Sequence, residues 1–91
     1  MTGAKKSIFT EKYNIFRDLI INARKTADLS QIDLARKLKR PQSFVSKYER
    51  GERRLDLVEF LEIAKAIGIN PIEIIQELES GKHDQQVRSK S

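Results

Sequence analysis

One short signal recurs three times along this chain: an apolar residue, a residue whose side-chain oxygen can accept a backbone N–H, an acid three positions further on, and then a second apolar residue. Leu29-Ser30 with Asp33 and Leu34 is the first instance, Leu55-Asp56 with Glu59 and Phe60 the second, and Ile69-Asn70 with Glu73 and Ile74 the third. Each is the chemistry of a helix start, because the cap oxygen satisfies an orphan N–H of the first turn, the acid reaches back to the cap's own N–H, and the flanking apolar pair staples the entry. Upstream, Phe16, Leu19, Ile20, Ala23 and Ala27 recur at helical spacing and predict a helix from about Thr10 to Ala27, with Ile15 and Ile21 off that stripe. So many helix signals in 91 residues leave little room for strands, and the expected fold is a compact, all-α bundle of five helices.

The stretch 29–51, LSQIDLARKLKRPQSFVSKYERG, holds two of these helices back to back. Leu34, Ala35 and Leu38 share one face of the first, which Pro41 forbids from continuing past about Lys39 because the residue before a proline is pushed out of the helical region. A second helix is expected from Pro41 to about Arg50, carrying Phe44, Val45 and Tyr48 inward until Gly51 ends it. Helices this short are not stable alone, so they must pack against the rest of the chain.

With these residues in view, the stretch resembles the helix-turn-helix of the phage repressor and Cro-like family, also called the xenobiotic-response-element (XRE) family. The matching residues are Leu29, Ser30, Gln31, Leu34, Ala35, Leu38, Gln42, Val45, Ser46, Glu49 and Gly51, joined by Arg24 upstream and Leu61, Ala64 and Ile67 downstream, so the resemblance covers roughly residues 12–79. It departs from the family pattern in two places: Lys39 stands where the turn usually has glycine, and Pro41 replaces the usual hydroxyl cap of the second helix. The resemblance implies a lambda-repressor-like DNA-binding domain, with the helix 41–50 in the major groove of a palindromic operator bound by a homodimer. Gln42, Ser43 and Lys47 match the family's base-contacting positions. A glutamine amide can pair with adenine's N6 and N7, which makes Gln42 the expected reader. Gln31 matches a position that grips phosphate and can buttress Gln42, while Arg40, Arg50, Arg53 and Arg54 are expected at the DNA backbone. The resemblance also implies a partly buried ion pair between Arg24 and Glu49, in preference to a phosphate contact by Arg24.

Charge agrees with that reading once it is divided along the chain. The net +5 is distributed as +3 over residues 1–28, +5 over 29–54, −5 over 55–80 and +2 over 81–91, so the cations concentrate on the helix-turn-helix. That polarity suits one face meeting a polyanion. The last helix carries Ile72, Ile74, Ile75 and Leu78, more apolar surface than one face needs, and Ile72, Ile75 and Leu78 are expected at a dimer interface.

Residues 1–8, with Lys5 and Lys6, read as a flexible basic arm, 9–79 as the DNA-binding domain, and 80–91 as a disordered polar tail. The chain has no cysteine and one histidine, His83 in the tail, so no cofactor, no metal ligand set and no catalytic constellation is expected, and no small-molecule effector is evident. No apolar run is long enough for a membrane, and the expected localisation is cytoplasmic, with the nucleoid. The rival to a DNA-binding regulator is a protein-interaction module, adaptor or antitoxin-like, that keeps this fold without specific DNA binding; the retained Gln31 and Gln42 count against it, and the lost turn glycine counts for it.

Overall fold

The computed structural model describes the backbone of residues 2–81 and the side chains of residues 11–81. Five helices follow one another among the described residues: α1 (Thr2–Thr26), α2 (Gln31–Leu38), α3 (Gln42–Arg50), α4 (Leu57–Ile67) and α5 (Pro71–Ser80). Helix α2 packs on α3 and α4, α5 closes against α1 and α4, and α1 touches both α3 and α4.

Two of the three expected capping boxes form, at α2 and α4, whereas at α5 the Asn70 side chain caps without a return bond from Glu73. Ser30 Oγ accepts from the Asp33 N–H while Asp33 returns to the Ser30 N–H, and Asp56 and Glu59 repeat the arrangement at α4. Asn70 accepts from the Ile72 N–H, with Pro71 at the first helical position. The helix ends share a device as well. Leu29 N–H reaches back to Arg24, Arg40 to Ala35 and Glu52 to Lys47, each through a preceding residue in the left-handed region: Asp28 (φ 62°), Lys39 (φ 59°) and Gly51 (φ 83°). Gly51 is needed for a second reason, since a Cβ there would come within 3.0 Å of Arg17 Nη1.

The core is drawn from every described helix except α5: Ile20 from α1, Leu34 and Ala35 from α2, Phe44, Val45 and Tyr48 from α3, and Phe60, Ile63 and Ile67 from α4. Phe16, Ala23, Leu38 and Ile74 pack against it, the last bringing α5 into the bundle. The Phe16 and Phe60 rings meet edge to face at 5.3 Å, and the Phe44 and Tyr48 rings do so at 5.4 Å. Complete burial pushes the Tyr48 phenol well above its usual range, so it stays neutral and serves as core.

Three further expectations are corrected by the structure. The first helix begins at Thr2, so residues expected as a basic arm belong to α1; Ala4, Lys5, Lys6 and Glu11 are good helix formers and nothing between Thr2 and Thr26 breaks the helix. It also ends at Thr26, which leaves Ala27 exposed beyond it. Proline 41 is the N-cap of α3, with an extended ψ of 152°, and the helix starts at Gln42. In α4 the buried stripe is Phe60, Ile63, Ala64 and Ile67, while Leu57, Val58 and Leu61 are exposed. That helix is apolar nearly all round, so periodicity alone cannot choose its inner face; the position of α2 and α5 does. The polar tail expected over residues 80–91 lies, beyond Gly81, outside the described residues.

Candidate nucleic-acid interface

Helix α3 buries Phe44, Val45, Tyr48 and Glu49 and turns Gln42, Ser43, Lys47 and Arg50 outward, which is the division required of a helix that must pack and read at once. Its amino end carries no side-chain cap, because Pro41 has no hydroxyl to offer. Two of its last-turn carbonyls accept from the backbone of Gly51 and Glu52, and the Glu49 carbonyl accepts from Arg17 Nη1 at 2.7 Å. Arg17 is itself steadied by Asn14, one turn earlier on α1, whose Oδ1 accepts from Arg17 Nη2 at 2.9 Å.

A chain of hydrogen bonds runs from the interior to the exposed reader. Arg24 meets Glu49 with two N–H groups, Nε to Oε2 at 2.7 Å and Nη2 to Oε1 at 3.0 Å, both residues being only 8 % exposed. The remaining Arg24 Nη1 donates to the Leu29 carbonyl at 2.7 Å. This hydrogen bonding to Glu49 holds the Arg24 guanidinium above its ordinary pKa, against the opposing effect of burial. Gln31 Nε2 then donates to Glu49 Oε1 at 2.8 Å, and Gln42 Nε2 donates to Gln31 Oε1 at 3.4 Å. The Gln42 amide thus stands exposed at the start of α3 with its rear held through Gln31 by a carboxylate fixed in the core.

The other cations expected at a DNA backbone are engaged within the protein. Arg50 lies against Glu52, with N···O distances of 2.9 and 3.0 Å on the surface. Arg53 grips Glu59 with both terminal nitrogens, at 2.9 and 2.8 Å, and lies over the Phe44 ring at 4.8 Å. Arg40 lies over the same ring at 4.4 Å and reaches Glu59 at 3.9 Å and Glu62 at 3.6 Å. Arg54 stacks on Tyr13 at 4.6 Å, and Tyr13 in turn accepts from the Leu55 N–H. Glu59 is therefore more than the capping-box acid its spacing announces. Its carboxyl is held down at about 2, first by Arg53 and then by the Asp56 N–H.

Sequence reasoning missed the roles of Arg17 and Glu59. The Asn14–Arg17 spacing is helical and was readable, whereas the Arg53–Glu59 pair straddles a loop and a helix start and leaves no periodic trace.

Ile72 and Ile75 are exposed on α5, as are Leu57, Val58 and Leu61 on α4, whereas Leu78 is half-buried. Among the described residues no group of acidic, histidine or cysteine side chains could hold a metal ion, and no helix is long and apolar enough to cross a membrane.

Comparison with known proteins agrees with this geometry. The helix-turn-helix family model HTH_3 matches residues 20–74, which takes in α2 and α3, the Arg24 side chain and the whole of α4. Among solved structures, an XRE-family like protein from Pseudomonas syringae pv. tomato str. DC3000 superposes with a TM-score of 0.81 at 44 % identity, over 85 % of this chain and 94 % of that one. No curated protein matches the chain. The sequence match covers the helices that carry Gln31 and Gln42, and with the structural likeness it shows that the chain belongs to the XRE family of helix-turn-helix DNA-binding regulators.

Proposed function

We propose that this protein is a sequence-specific regulator that binds a palindromic double-stranded DNA operator as a homodimer, with α3 in the major groove, and that it works in the cytoplasm at the nucleoid. The observation that carries the reading is the exposed Gln42 amide held from behind by Gln31, itself anchored on Glu49. A reader fixed in this way loses little side-chain entropy on meeting a base. Gln42, Ser43 and Lys47 contact base edges; Gln31 and Arg54 contact phosphate; Arg40, Arg50 and Arg53 reach phosphate in competition with the carboxylates beside them. The uncapped start of α3 adds backbone donors and the positive end of a helix dipole on the same side.

The homodimer draws on the apolar surface of the two last helices. Leu57, Val58, Ile72 and Ile75 are 43–64 % exposed, and a groove of about 540 Å³ beside them is floored by Phe16, Leu55, Phe60 and Ile74. Exposed apolar surface on this scale marks an interaction face, and Ile72, Ile75 and Leu78 would sit at its centre.

The protein-interaction alternative draws on the internal pairing of Arg40, Arg50 and Arg53, which lowers the cationic character of the expected DNA face. Selection of binding sites from a random duplex pool decides between them. Enrichment of a two-fold symmetric sequence supports the regulator; a pool that stays random through repeated rounds supports the interaction module.

A further inference from the structure

The Arg53 guanidinium has five N–H groups, and three are spent inside the protein: Nη1 donates to the Arg54 carbonyl at 3.0 Å and to Glu59 Oε1 at 2.9 Å, and Nη2 donates to Glu59 Oε2 at 2.8 Å. Glu59 occupies the end-on edge, Nη1 with Nη2, one of the two edges with which an arginine takes hold of a phosphate, and its charge offsets that of the guanidinium. Arg40 completes the cluster, facing Phe44 at 4.4 Å and shared between Glu59 and Glu62, so two cations are balanced by two carboxylates around one aromatic ring. Glu59 cannot simply follow its arginine outward. Its Oε1 also accepts the Asp56 N–H at 3.0 Å while its own N–H donates to Asp56 Oδ1 at 2.7 Å, which ties the carboxylate to the first turn of α4.

We propose that Glu59 is a specificity-determining residue: by holding Arg53, and with Glu62 holding Arg40, it withholds these cations from phosphate, keeps the grip on arbitrary DNA weak, and leaves the choice of site to the exposed readers of α3. The inference rests on the DNA-binding reading above. Affinity for arbitrary sequence comes from the number of cations that reach phosphate and displace counterions, whatever the bases are. A cation already paired contributes little to that sum. On a matched operator the base contacts supply the free energy to open the pair, so the same arginine adds to specific binding while it is withheld from the rest of the genome.

The test is a salt titration on a fluorescently labelled duplex of random sequence, with the wild type, Glu59→Gln, Arg53→Gln and the double variant. Glutamine at this position can keep the capping box while losing the charge. Glu59→Gln is expected to bind the random duplex several-fold tighter at 0.1 M salt, with a log–log salt slope steeper by about 0.9 for each additional phosphate that a released arginine neutralises. Arg53→Gln alone changes random binding little, and adding it to Glu59→Gln removes most of the tightening. Arg53→Lys is an independent check that leaves Glu59 and its cap untouched: an ammonium cannot be held along a two-pronged edge, so this variant is also expected to bind random DNA more tightly than the wild type. Tighter binding by Glu59→Gln that survives the loss of Arg53 reduces the effect to net charge and overturns the proposal. So does random-duplex binding by Glu59→Gln and Arg53→Lys at or below the wild-type level, which would mean that the carboxylate positions Arg53 for phosphate. If the wild type and every variant ignore all duplexes at low salt, the DNA-binding reading fails together with the inference; wild-type binding with unmoved variants removes the inference alone.

Discussion

Gln31 donates to Glu49 at 2.8 Å across the angle between α2 and α3, so the first residue of one helix is fixed to the buried acid of the next. Glu49 also takes both prongs of Arg24 from α1, which makes a single carboxylate the junction of three helices. A buried pair of this kind costs desolvation, and its value lies in fixing geometry. Removing one partner leaves the other charge stranded. Arg24→Ala is therefore expected to destabilise the domain by about 3–5 kcal/mol, measured by urea or thermal unfolding; a loss under about 1 kcal/mol would mean that water readily replaces the arginine.

The turn between α2 and α3 carries a removable strain. Lys39 closes α2 at φ 59°, ψ 43°, where a side chain is disfavoured by about 1–2 kcal/mol and glycine is not. Part of that benefit is returned through the greater freedom of glycine in the unfolded chain. Lys39→Gly is expected to stabilise by about 0.5–1 kcal/mol net and to raise the melting temperature by a few degrees. Asp28, at φ 62°, is a comparison site where the same change has a smaller effect, since aspartate visits the left-handed region more readily. A melting temperature lowered by Lys39→Gly would show that the lysine side chain contributes something its backbone conformation does not reveal.

How much of this was legible in the sequence depends on the distance over which each feature is specified. Ser30 with Asp33 and Asp56 with Glu59 lie three residues apart and fix their helix starts locally, so both caps were readable. The left-handed turn at Lys39 was readable only through the family resemblance, which usually has glycine at that position. The inner face of α4 was not, because Leu57, Val58 and Leu61 are as apolar as the residues that are buried, and only the packing of the other helices sorts them. The Arg24–Glu49 pair spans 25 residues and was accessible only through family resemblance, while Arg53–Glu59 had neither a helical period nor a family pattern to announce it.

Glu59 also gives the domain an acid limit. Its carboxyl is held at about 2, below the ordinary 4.5. A depressed carboxylate contributes stability that is fully present above the unfolded value and is lost as pH falls through the folded one. Asp33, lowered by its bonds to the Ser30 backbone and hydroxyl, acts in the same direction. Stability is expected to fall between about pH 5 and pH 2, and Glu59→Gln should flatten part of that fall. An unchanged acid profile in the variant would place the pH sensitivity elsewhere.

Dimerisation is open to a test with little risk to folding. Ile75 is 43 % exposed on α5, so a polar residue there disturbs the bundle less than one at half-buried Leu78. Ile75→Asp is expected to keep the far-ultraviolet circular dichroism and melting behaviour of a folded domain while shifting the sedimentation coefficient to that of a single chain. Binding to a symmetric site, whose half-sites should lie about 34 Å apart, falls with it. A wild type that sediments as one chain on its best duplex would remove the homodimer.

Readers and grippers should fail differently, because a base contact carries sequence information and a phosphate contact adds affinity to every sequence alike. Gln42 is exposed and braced by Gln31; Arg54 is exposed and stacked on Tyr13 in the loop beyond α3. Gln42→Ala is expected to cost about 1–3 kcal/mol on the selected operator and little on random duplex, with the salt slope nearly unchanged and preference relaxed at one base pair per half-site. Gln31→Ala should combine a weaker form of the same defect, from the lost brace, with a loss on both duplexes from its phosphate contact. Arg54→Ala should instead weaken operator and random duplex by similar factors and flatten the salt slope by about one unit. Equal losses on both duplexes for Gln42→Ala would reassign it to the backbone contacts. If neither Gln42→Ala nor Arg54→Ala altered binding, the surface of α3 would not be the DNA-binding face, and the apolar surface of α4 and α5 would become the functional one.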